Sequence, residues 1–242
     1  MKELVKRVLR SLSYRLGYQN LDHLSLLLNS RLRKVDEFFI IQIGANDGTT
    51  YDPIHDFIVT NRSRVKGIML EPLRDFYEQL VRTYGRYPGI QALPLAIHNS
   101  EKTMLLHRVD PERLSTLPSF VKGIASFDAD YHTKSNTPSD AIVAERVNCI
   151  TMSELIANYG VKKIDLLCVD TEGYDAEILR ALDFDNIRPA IIMFEHGLRN
   201  GVMSGDTFAE VVMRLNQYGY DVMIQDYDVI AHLRDRLAIG SP

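Results

Sequence analysis

The chain alternates between short apolar runs and longer segments in which apolar residues recur at helical spacing. Apolar runs of this length, bounded by turns, are typical of strands buried in a parallel sheet. The predicted strands are the run from Phe38 to the turn at Gly44, then Val65–Leu70, Ile90–Ile97, Arg146–Ile150, Ile164–Val169, Ala190–Phe194, Tyr220–Gln225 and Asp228–His232. The predicted helices are Leu21–Leu32, Pro53–Thr60, Asp75–Tyr84, Met152–Tyr159, Asp175–Leu182 and Thr207–Tyr218. Strands that alternate with helices indicate an α/β domain with a largely parallel sheet, closed here by an antiparallel pair.

The turn from Gly44 to Gly48 follows the first predicted strand, where open α/β sheets bind their ligands. Its glycines would let the backbone approach a ligand closely. The turn is similar to a dinucleotide-binding loop, but Asn46 replaces the second glycine and Asp47 lies near the start of the next helix. Asp47 would repel a pyrophosphate at that helix terminus, but it would not repel a cation. S-adenosylmethionine, with its sulfonium and amino groups, therefore fits this turn better than NAD.

Further polar residues fall where other predicted strands end. Glu71 follows the second strand, where a carboxylate is placed to accept hydrogen bonds from ribose hydroxyls. Asp170, Glu172 and His196 follow two later strands and are candidates for a general base. Asp170 and Glu172 are also candidate oxygen ligands for a divalent cation. The structural alternatives are that the carboxylates cap helices or lie on the surface, and that His196 is a core histidine with both ring nitrogens bonded.

A long polar stretch, residues 109–144, separates two predicted strands and contains three prolines. Stretches of this length within a domain are usually lids or binding loops, so we predict an inserted lid or acceptor loop. Its aromatic residues, Phe120, Phe127 and Tyr131, argue against simple disorder. Just before it, Thr103–Arg108 is predicted to extend the third strand as a hairpin.

Residues 1–36 are predicted to form an N-terminal helical arm, followed by the main domain at 37–242. The first twenty residues carry five basic residues against one acidic residue, with apolar residues at helical spacing. This helix either packs on the sheet or lies against an anionic membrane surface. Asn20 is the predicted cap of the helix that follows.

Composition narrows the functional classes. The formal net charge of −4 argues against a general nucleic-acid-binding surface. The two cysteines, Cys149 and Cys168, lie far apart in apolar runs, which predicts buried free thiols rather than a disulfide or a zinc site. No apolar run approaches the length of a membrane span, about 18 residues or more. Leu24–Leu28 is too short for a signal-peptide core, so a cytoplasmic location is expected.

The succession IIQIGANDG, IMLEP, IDLLCVDTEGYDAEIL and IIMFEH resembles the FkbM-type methyltransferases over roughly residues 38–197. The most specific piece runs from Asp170 to Glu177 and is similar to the family pattern D-x-E-G-x-E, with Asp175 in place of its second Glu. The resemblance implies a Rossmann-like class I methyltransferase fold with a seven-stranded sheet and helices on both faces. It also implies S-adenosylmethionine as cofactor and O-methylation of a sugar or polyketide hydroxyl.

The resemblance also implies site residues. The cofactor-binding residues would be Gln42, Gly44, Asn46, Gly48, Glu71, Pro72 and Ala96. The catalytic residues would be Asp170, Glu172 and His196, with Mg²⁺ held by Asp170 and Glu172 as a further candidate. Gln42 stands where the family usually has Asp, so it would meet the cofactor's ammonium without a charge of its own. The alternatives left open are an NAD-dependent oxidoreductase and a cofactor-binding scaffold without catalysis.

Overall fold

The computed structural model describes residues 22–117, 121, 123–134, 137–225 and 227–238. The predicted basic helix in the first twenty residues lies outside the described residues. The next predicted helix is present as His23–Leu32, but its cap is Asp22, whose side chain accepts a hydrogen bond from the Ser25 backbone N–H. The assignment of Asn20 as the cap was therefore wrong. None of the described helices is long and apolar enough to cross a membrane.

The secondary structure follows the predicted alternation closely. The strands are β1 (Phe38–Ile43), β2 (Val65–Leu70), β3 (Ile90–Leu93), β4 (Ala96–Ile97), β5 (Thr103–Val109), β6 (Ala125–Ser126), β7 (Ile142–Ile150), β8 (Leu166–Val169), β9 (Ile191–Glu195), β10 (Asp221–Ile224) and β11 (Asp228–His232). The α-helices are α1 (His23–Leu32), α2 (His55–Thr60), α3 (Arg74–Tyr84), α4 (Tyr131–Lys134), α5 (Met152–Asn158), α6 (Asp175–Ala181) and α7 (Gly205–Gln217). Short 3₁₀ helices cover Pro111–Thr116, Ser139–Ala141, Leu198–Asn200 and Arg234–Arg236.

The main sheet has seven strands in the order β10-β11-β9-β8-β1-β2-β3. The central strands are parallel, while β11 runs antiparallel to both β9 and β10. This confirms the predicted fold class, a mostly parallel seven-stranded sheet with a closing antiparallel pair. The carboxyl ends of β1, β2, β8 and β9 therefore meet along one edge.

Both faces of the sheet are covered, as the apolar runs predict for strands buried on two sides. Along β1, Ile41 and Ile43 join the core beneath α5, α6 and α7, and Phe38 and Ile40 join the core beneath α1, α2 and α3. Cys168 lies in this second core, and both cysteines are buried and free, as predicted. The site at the sheet edge is therefore built on rigid, fully packed strands.

A second, smaller sheet has the order β4-β7-β5-β6. Its existence corrects two predictions. The predicted third strand, Ile90–Ile97, is broken at Pro94, so that β3 stays in the main sheet and β4 pairs with β7. Proline has no backbone N–H for a ladder, which explains the break. The predicted hairpin partner was also wrong, because β5 pairs antiparallel along its whole length with β7.

The predicted insertion is shorter than residues 109–144, because Val109 ends β5 and residues 142–144 begin β7. The described residues between these strands form β6, α4 and two 3₁₀ helices. Ser126 and Tyr131 from this insertion contact the loop that follows β8. Its role as a lid and the division at residue 37 stay predictions.

Candidate active site

A cavity of about 580 Å³ opens at the carboxyl ends of β1, β2 and β8. It brings together most of the residues predicted for the site. The predicted residues that line it are Gln42, Gly44, Asn46, Glu71, Pro72, Ala96, Asp170 and Glu172. Gly48 and His196 are not among the lining residues.

The packing around the first turn requires both of its glycines. Gly44 has a φ of +79°, and a Cβ built on it would lie 1.8 Å from the Asp170 carbonyl oxygen. Gly48 has a φ of +73°, and its Cβ would meet the side chains of Tyr84 and Leu80. Both positions need glycine because protein atoms fill the space beside them. Gly44 still lines the cavity through its backbone.

Glu71 is buried against the same turn. Its Oε2 accepts a hydrogen bond of 2.9 Å from the Asn46 N–H, and its Oε1 accepts one of 2.9 Å from the Leu73 N–H. Burial nevertheless raises the pKa of Glu71 to about 7. A carboxylate has about four lone-pair sites. The side chain therefore retains acceptor capacity toward the cavity that it lines.

Gln42 and Asp52 form a second polar group in the cavity wall. The Gln42 side chain is only 4% exposed, and its Oε1 has no hydrogen-bond partner among the described residues. Burial raises the pKa of Asp52, although hydrogen bonds from the Ile54 backbone and the Gln42 side chain oppose the shift. Sequence reasoning missed Asp52, because it lies in a polar loop before α2 and no motif marks it.

Asp170 begins the loop after β8, held by a 3.0 Å hydrogen bond from its N–H to the Ile43 carbonyl oxygen. Asp170 is exposed to solvent and lines the cavity. Desolvation by the cavity wall, followed by repulsion from the carboxylates of Glu172 and Asp175, raises the pKa of Asp170 above its ordinary value. No hydrogen-bond donor among the described residues reaches this carboxylate. Asp170 is thus an unshielded acceptor that faces the cavity.

Glu172 is held from the insertion. The Tyr131 hydroxyl donates a hydrogen bond to Glu172 Oε2, and Ser126 Oγ donates one of 2.7 Å to the Glu172 carbonyl oxygen. Burial raises the pKa of Glu172 to about 7, although the Tyr131 hydrogen bond opposes the rise. The backbone of Glu172 has a φ of +52°, a left-handed conformation that is uncommon for a residue other than glycine. The insertion therefore fixes one of the two candidate catalytic carboxylates.

Neither Asp170 nor Glu172 caps the helix that follows. Helix α6 begins at Asp175, and its N-cap residue Tyr174 makes no side-chain cap. Asp175 is buried, and its carboxylate accepts hydrogen bonds from the Thr171 N–H at 3.2 Å and the Glu195 N–H at 3.1 Å. Asp175 therefore links the loop after β8 to the end of β9. The carboxylates of Asp170 and Glu172 take no part in this link and line the cavity.

His196 lies in the core and not in the cavity wall, so the structure gives no support to its predicted role as a catalytic base. Its ring is 4% exposed and packs edge-on against Phe208. Nδ1 accepts a hydrogen bond from the Leu198 N–H at 3.1 Å, so Nε2 carries the proton and donates it to the Gln225 carbonyl oxygen at 3.2 Å. Both ring nitrogens are occupied by the fold.

The cavity is strongly acidic. Seven carboxylates line it: Asp47, Asp52, Glu71, Asp75, Asp170, Glu172 and Asp228. The described residues that line it include no Lys, Arg or His, although Arg108 forms an ion pair with Asp75. Although burial opposes the shift, hydrogen bonds from Thr50 and Thr49 lower the pKa of Asp47, which keeps this residue ionised. Such a cavity favours a cationic ligand and disfavours a diphosphate.

The predicted Mg²⁺ site finds no support. Within the ranges that the structure describes, no group of three or more His, Cys, Asp or Glu side chains is arranged to hold a metal ion. Asp170 and Glu172 remain as carboxylates that face the cavity.

A comparison with solved structures returned matches of low sequence identity. A methyltransferase FkbM from Methylobacillus flagellatus KT is 11% identical, with a TM-score of 0.48, and the match covers 81% of this chain and 44% of that one. A precorrin-6y C5,15-methyltransferase from Geobacter metallireducens GS-15 is 13% identical, with a TM-score of 0.40 and 85% of each chain covered. A chain of a fibrillarin/Nop5p complex is 13% identical, with a TM-score of 0.41, and the match covers 82% of this chain and 72% of that one.

A search of curated proteins found no match. The model of the methyltransferase FkbM domain family, however, matches residues 42–222, which is most of the chain. The matched region contains every residue assigned above to the cavity wall except Asp228. The chain therefore belongs to the FkbM family of S-adenosylmethionine-dependent methyltransferases.

Proposed function

We propose that the protein transfers a methyl group from S-adenosylmethionine to a hydroxyl oxygen of a sugar, a glycan or a glycosylated natural product, with Asp170 as the general base. The observation that carries this proposal is the Asp170 carboxylate, which faces the cavity with its acceptor sites free of donors from the described residues. Family membership supports the methyl donor. The choice of oxygen as acceptor atom rests on the need for such a base.

The cavity residues fit the cofactor. Glu71 retains acceptor capacity for the ribose hydroxyls, and Gln42 offers a buried amide oxygen without a partner among the described residues. The excess of carboxylates favours a ligand that carries a sulfonium and an ammonium group. When bound, the cofactor supplies an activated methyl group, and the protein's task is to align the acceptor and remove its proton.

The acceptor chemistry explains why a base is needed. A sugar hydroxyl has a pKa far above neutrality, so a base must take up its proton when the oxygen is methylated. Asp170 would accept that proton, and a bound cofactor would supply the methyl group and would keep the electron pair of the carbon–sulfur bond on sulfur. A raised carboxylate pKa makes Asp170 a stronger base than an ordinary surface aspartate. Glu172, fixed by Tyr131, is placed to orient the acceptor.

Tyr51 supports a carbohydrate acceptor. This residue lines the cavity although its side chain is 78% exposed, and its backbone has a φ of +58°. Holding a bulky residue in that conformation costs on the order of 1–3 kcal/mol, and such strain clusters at ligand sites. An exposed aromatic ring at the rim offers a flat face on which a sugar ring can pack.

The test is methyl transfer by the variant Asp170→Asn. Protein and methyl-labelled S-adenosylmethionine are incubated with a panel of methyl glycosides and nucleoside diphosphate sugars, and label in each acceptor is counted. We expect turnover to fall by about 10²–10⁴-fold, the usual contribution of a general base, with cofactor affinity little changed. The matched control is Asp206→Asn on the exposed first turn of α7, which should keep full turnover.

Two results would contradict the proposal. Turnover of Asp170→Asn within a few fold of wild type would exclude this carboxylate as the base. Normal cofactor binding without transfer to any hydroxyl by the wild-type protein would favour the non-catalytic scaffold.

A further inference from the structure

Gln42 and Asp52 both line the cavity, and Gln42 Oε1 has no hydrogen-bond partner among the described residues. We propose that Asp52 provides the negative charge, and Gln42 the hydrogen-bond acceptor, that together hold the ammonium group at the amino-acid end of the cofactor. This inference rests on the proposed function, since it takes S-adenosylmethionine as the ligand. The carboxylate that pairs with the ammonium therefore lies in the loop before α2, and strand β1 supplies only the neutral side chain of Gln42.

Gln42 occupies a position where the fold does not need a polar side chain. It lies in the centre of the main sheet, in register with Met69 of β2 and Cys168 of β8. Its two strand neighbours are buried side chains, and Gln42 itself is 4% exposed. Its Oε1 nevertheless lacks a hydrogen-bond partner among the described residues, and the residue lines the cavity. A buried acceptor left without a donor is unfavourable, and a ligand N–H would satisfy it.

Asp52 brings a carboxylate to the same wall. Its Oδ1 accepts a 2.9 Å hydrogen bond from the Ile54 N–H, and the Tyr84 hydroxyl lies 3.4 Å from Oδ2. The Gln42 side chain lies close enough to Asp52 to oppose the rise in its pKa, and Gln42 Oε1 has no hydrogen-bond partner among the described residues. In the part of the chain that the structure describes, no Lys or Arg forms an ion pair with Asp52. The neighbouring His55 directs Nδ1 at the Gly48 carbonyl oxygen, 2.7 Å away.

The combination selects a particular chemical group. An amide oxygen and a carboxylate both accept hydrogen bonds, and an ammonium offers three donors and a positive charge. A ligand carboxylate would be repelled, and a neutral hydroxyl would leave the charge of Asp52 unpaired. Of the cofactor's polar groups, only the ammonium meets both requirements. The sulfonium has no N–H or O–H to donate to Gln42.

Three probes locate the effect by calorimetry. S-adenosylmethionine carries both cationic groups, S-adenosylhomocysteine carries the ammonium without the sulfonium, and 5′-methylthioadenosine lacks the whole amino-acid end. For Asp52→Asn we expect the affinity for the first two to fall by about 10- to 100-fold, the range for hydrogen bonds to charged groups. Affinity for 5′-methylthioadenosine should stay within about twofold. The matched control is Asp56→Asn, exposed on the first turn of α2, which should change none of the three.

A charge exchange provides the second variant. In Gln42→Asp/Asp52→Asn the carboxylate moves from the loop to β1, and affinity for S-adenosylhomocysteine should recover relative to Asp52→Asn alone. An equal loss for 5′-methylthioadenosine, or no loss for S-adenosylhomocysteine, would overturn the inference and leave the proposed function standing. If the folded wild-type protein binds none of the three probes, the proposed function fails, and this inference fails with it.

Discussion

Glu195 offers a test of the acidic cluster that does not depend on any ligand. This residue ends β9, and its side chain is partly buried. Burial, followed by repulsion from Glu172, Asp175 and Asp228, raises the pKa of Glu195 from 4.5 to about 8. The folded protein therefore binds this proton more tightly than the unfolded chain does. As pH rises from about 4.5 to 8, ionisation of Glu195 must lower the free energy of unfolding.

The magnitude follows from the two pKa values. The pKa of Glu195 rises from 4.5 to about 8, and each pKa unit is worth about 1.4 kcal/mol. Ionised Glu195 can therefore lower the free energy of unfolding by at most about 5 kcal/mol. Solvent screens this partly exposed side chain, so we expect Glu195→Gln to raise the free energy of unfolding by about 1–3 kcal/mol at pH 8.5. The gain should shrink toward zero as the pH falls to 4.5 and below, because Glu195 is then increasingly protonated in both states.

Urea unfolding between pH 4.5 and 8.5, without cofactor, measures this difference. The control is Glu210→Gln, because the ion pair of Glu210 with Arg180 lowers the pKa of that carboxyl. A lowered pKa contributes stability that is present above the unfolded value and lost on acidification, so Glu210→Gln should destabilise the protein at pH 8.5. If Glu195→Gln is no more stable than wild type at pH 8.5, the neighbouring carboxylates do not repel ionised Glu195 strongly enough to destabilise the fold. The acidic cluster would then give no support to a site for a cationic ligand.

Two further predictions concern the rim and the insertion. Tyr51→Ala should raise KM for a carbohydrate acceptor about tenfold or more while leaving S-adenosylmethionine affinity unchanged, as measured by initial rates and calorimetry; an unchanged KM would remove Tyr51 from the acceptor site. Tyr131→Phe removes a hydrogen bond that lowers the pKa of Glu172. Any limb of the pH–rate profile that depends on Glu172 should therefore move to higher pH. A pH–rate profile identical to wild type would show that ionisation of Glu172 does not affect the reaction rate.

The main sheet and the position of the site were predictable from local pattern. Strands such as β1, β2 and β8 are mostly apolar and end in polar turns, and parallel strands place those turns on one edge. The predicted carboxylates Glu71 and Asp170 therefore reach the same cavity. Periodicity and turn residues are short-range signals, which is why they succeed for these elements.

The remaining features depend on contacts between distant segments. The pairing of β5 with β7 is set by the fold of the insertion between them, and only Pro94 marked the break that creates the second sheet. His196 resembled a catalytic residue at a strand end, and only its contacts with Leu198 and Gln225 show that the fold uses both nitrogens. Asp52 has no sequence signal because its importance comes from Gln42, on a different element.

The most direct test of the central claim is calorimetric titration of the wild-type protein with S-adenosylmethionine and, separately, with NAD, together with the variant Glu71→Ala. We predict one S-adenosylmethionine site and no binding of NAD, because the described residues that line the cavity include seven carboxylates and no basic residue. Glu71→Ala should weaken S-adenosylmethionine binding by about 1.5–3 kcal/mol, the scale of hydrogen bonds to a charged group, provided that its thermal unfolding stays cooperative. NAD binding as tight as that of S-adenosylmethionine, or unchanged S-adenosylmethionine affinity in folded Glu71→Ala, would contradict the account.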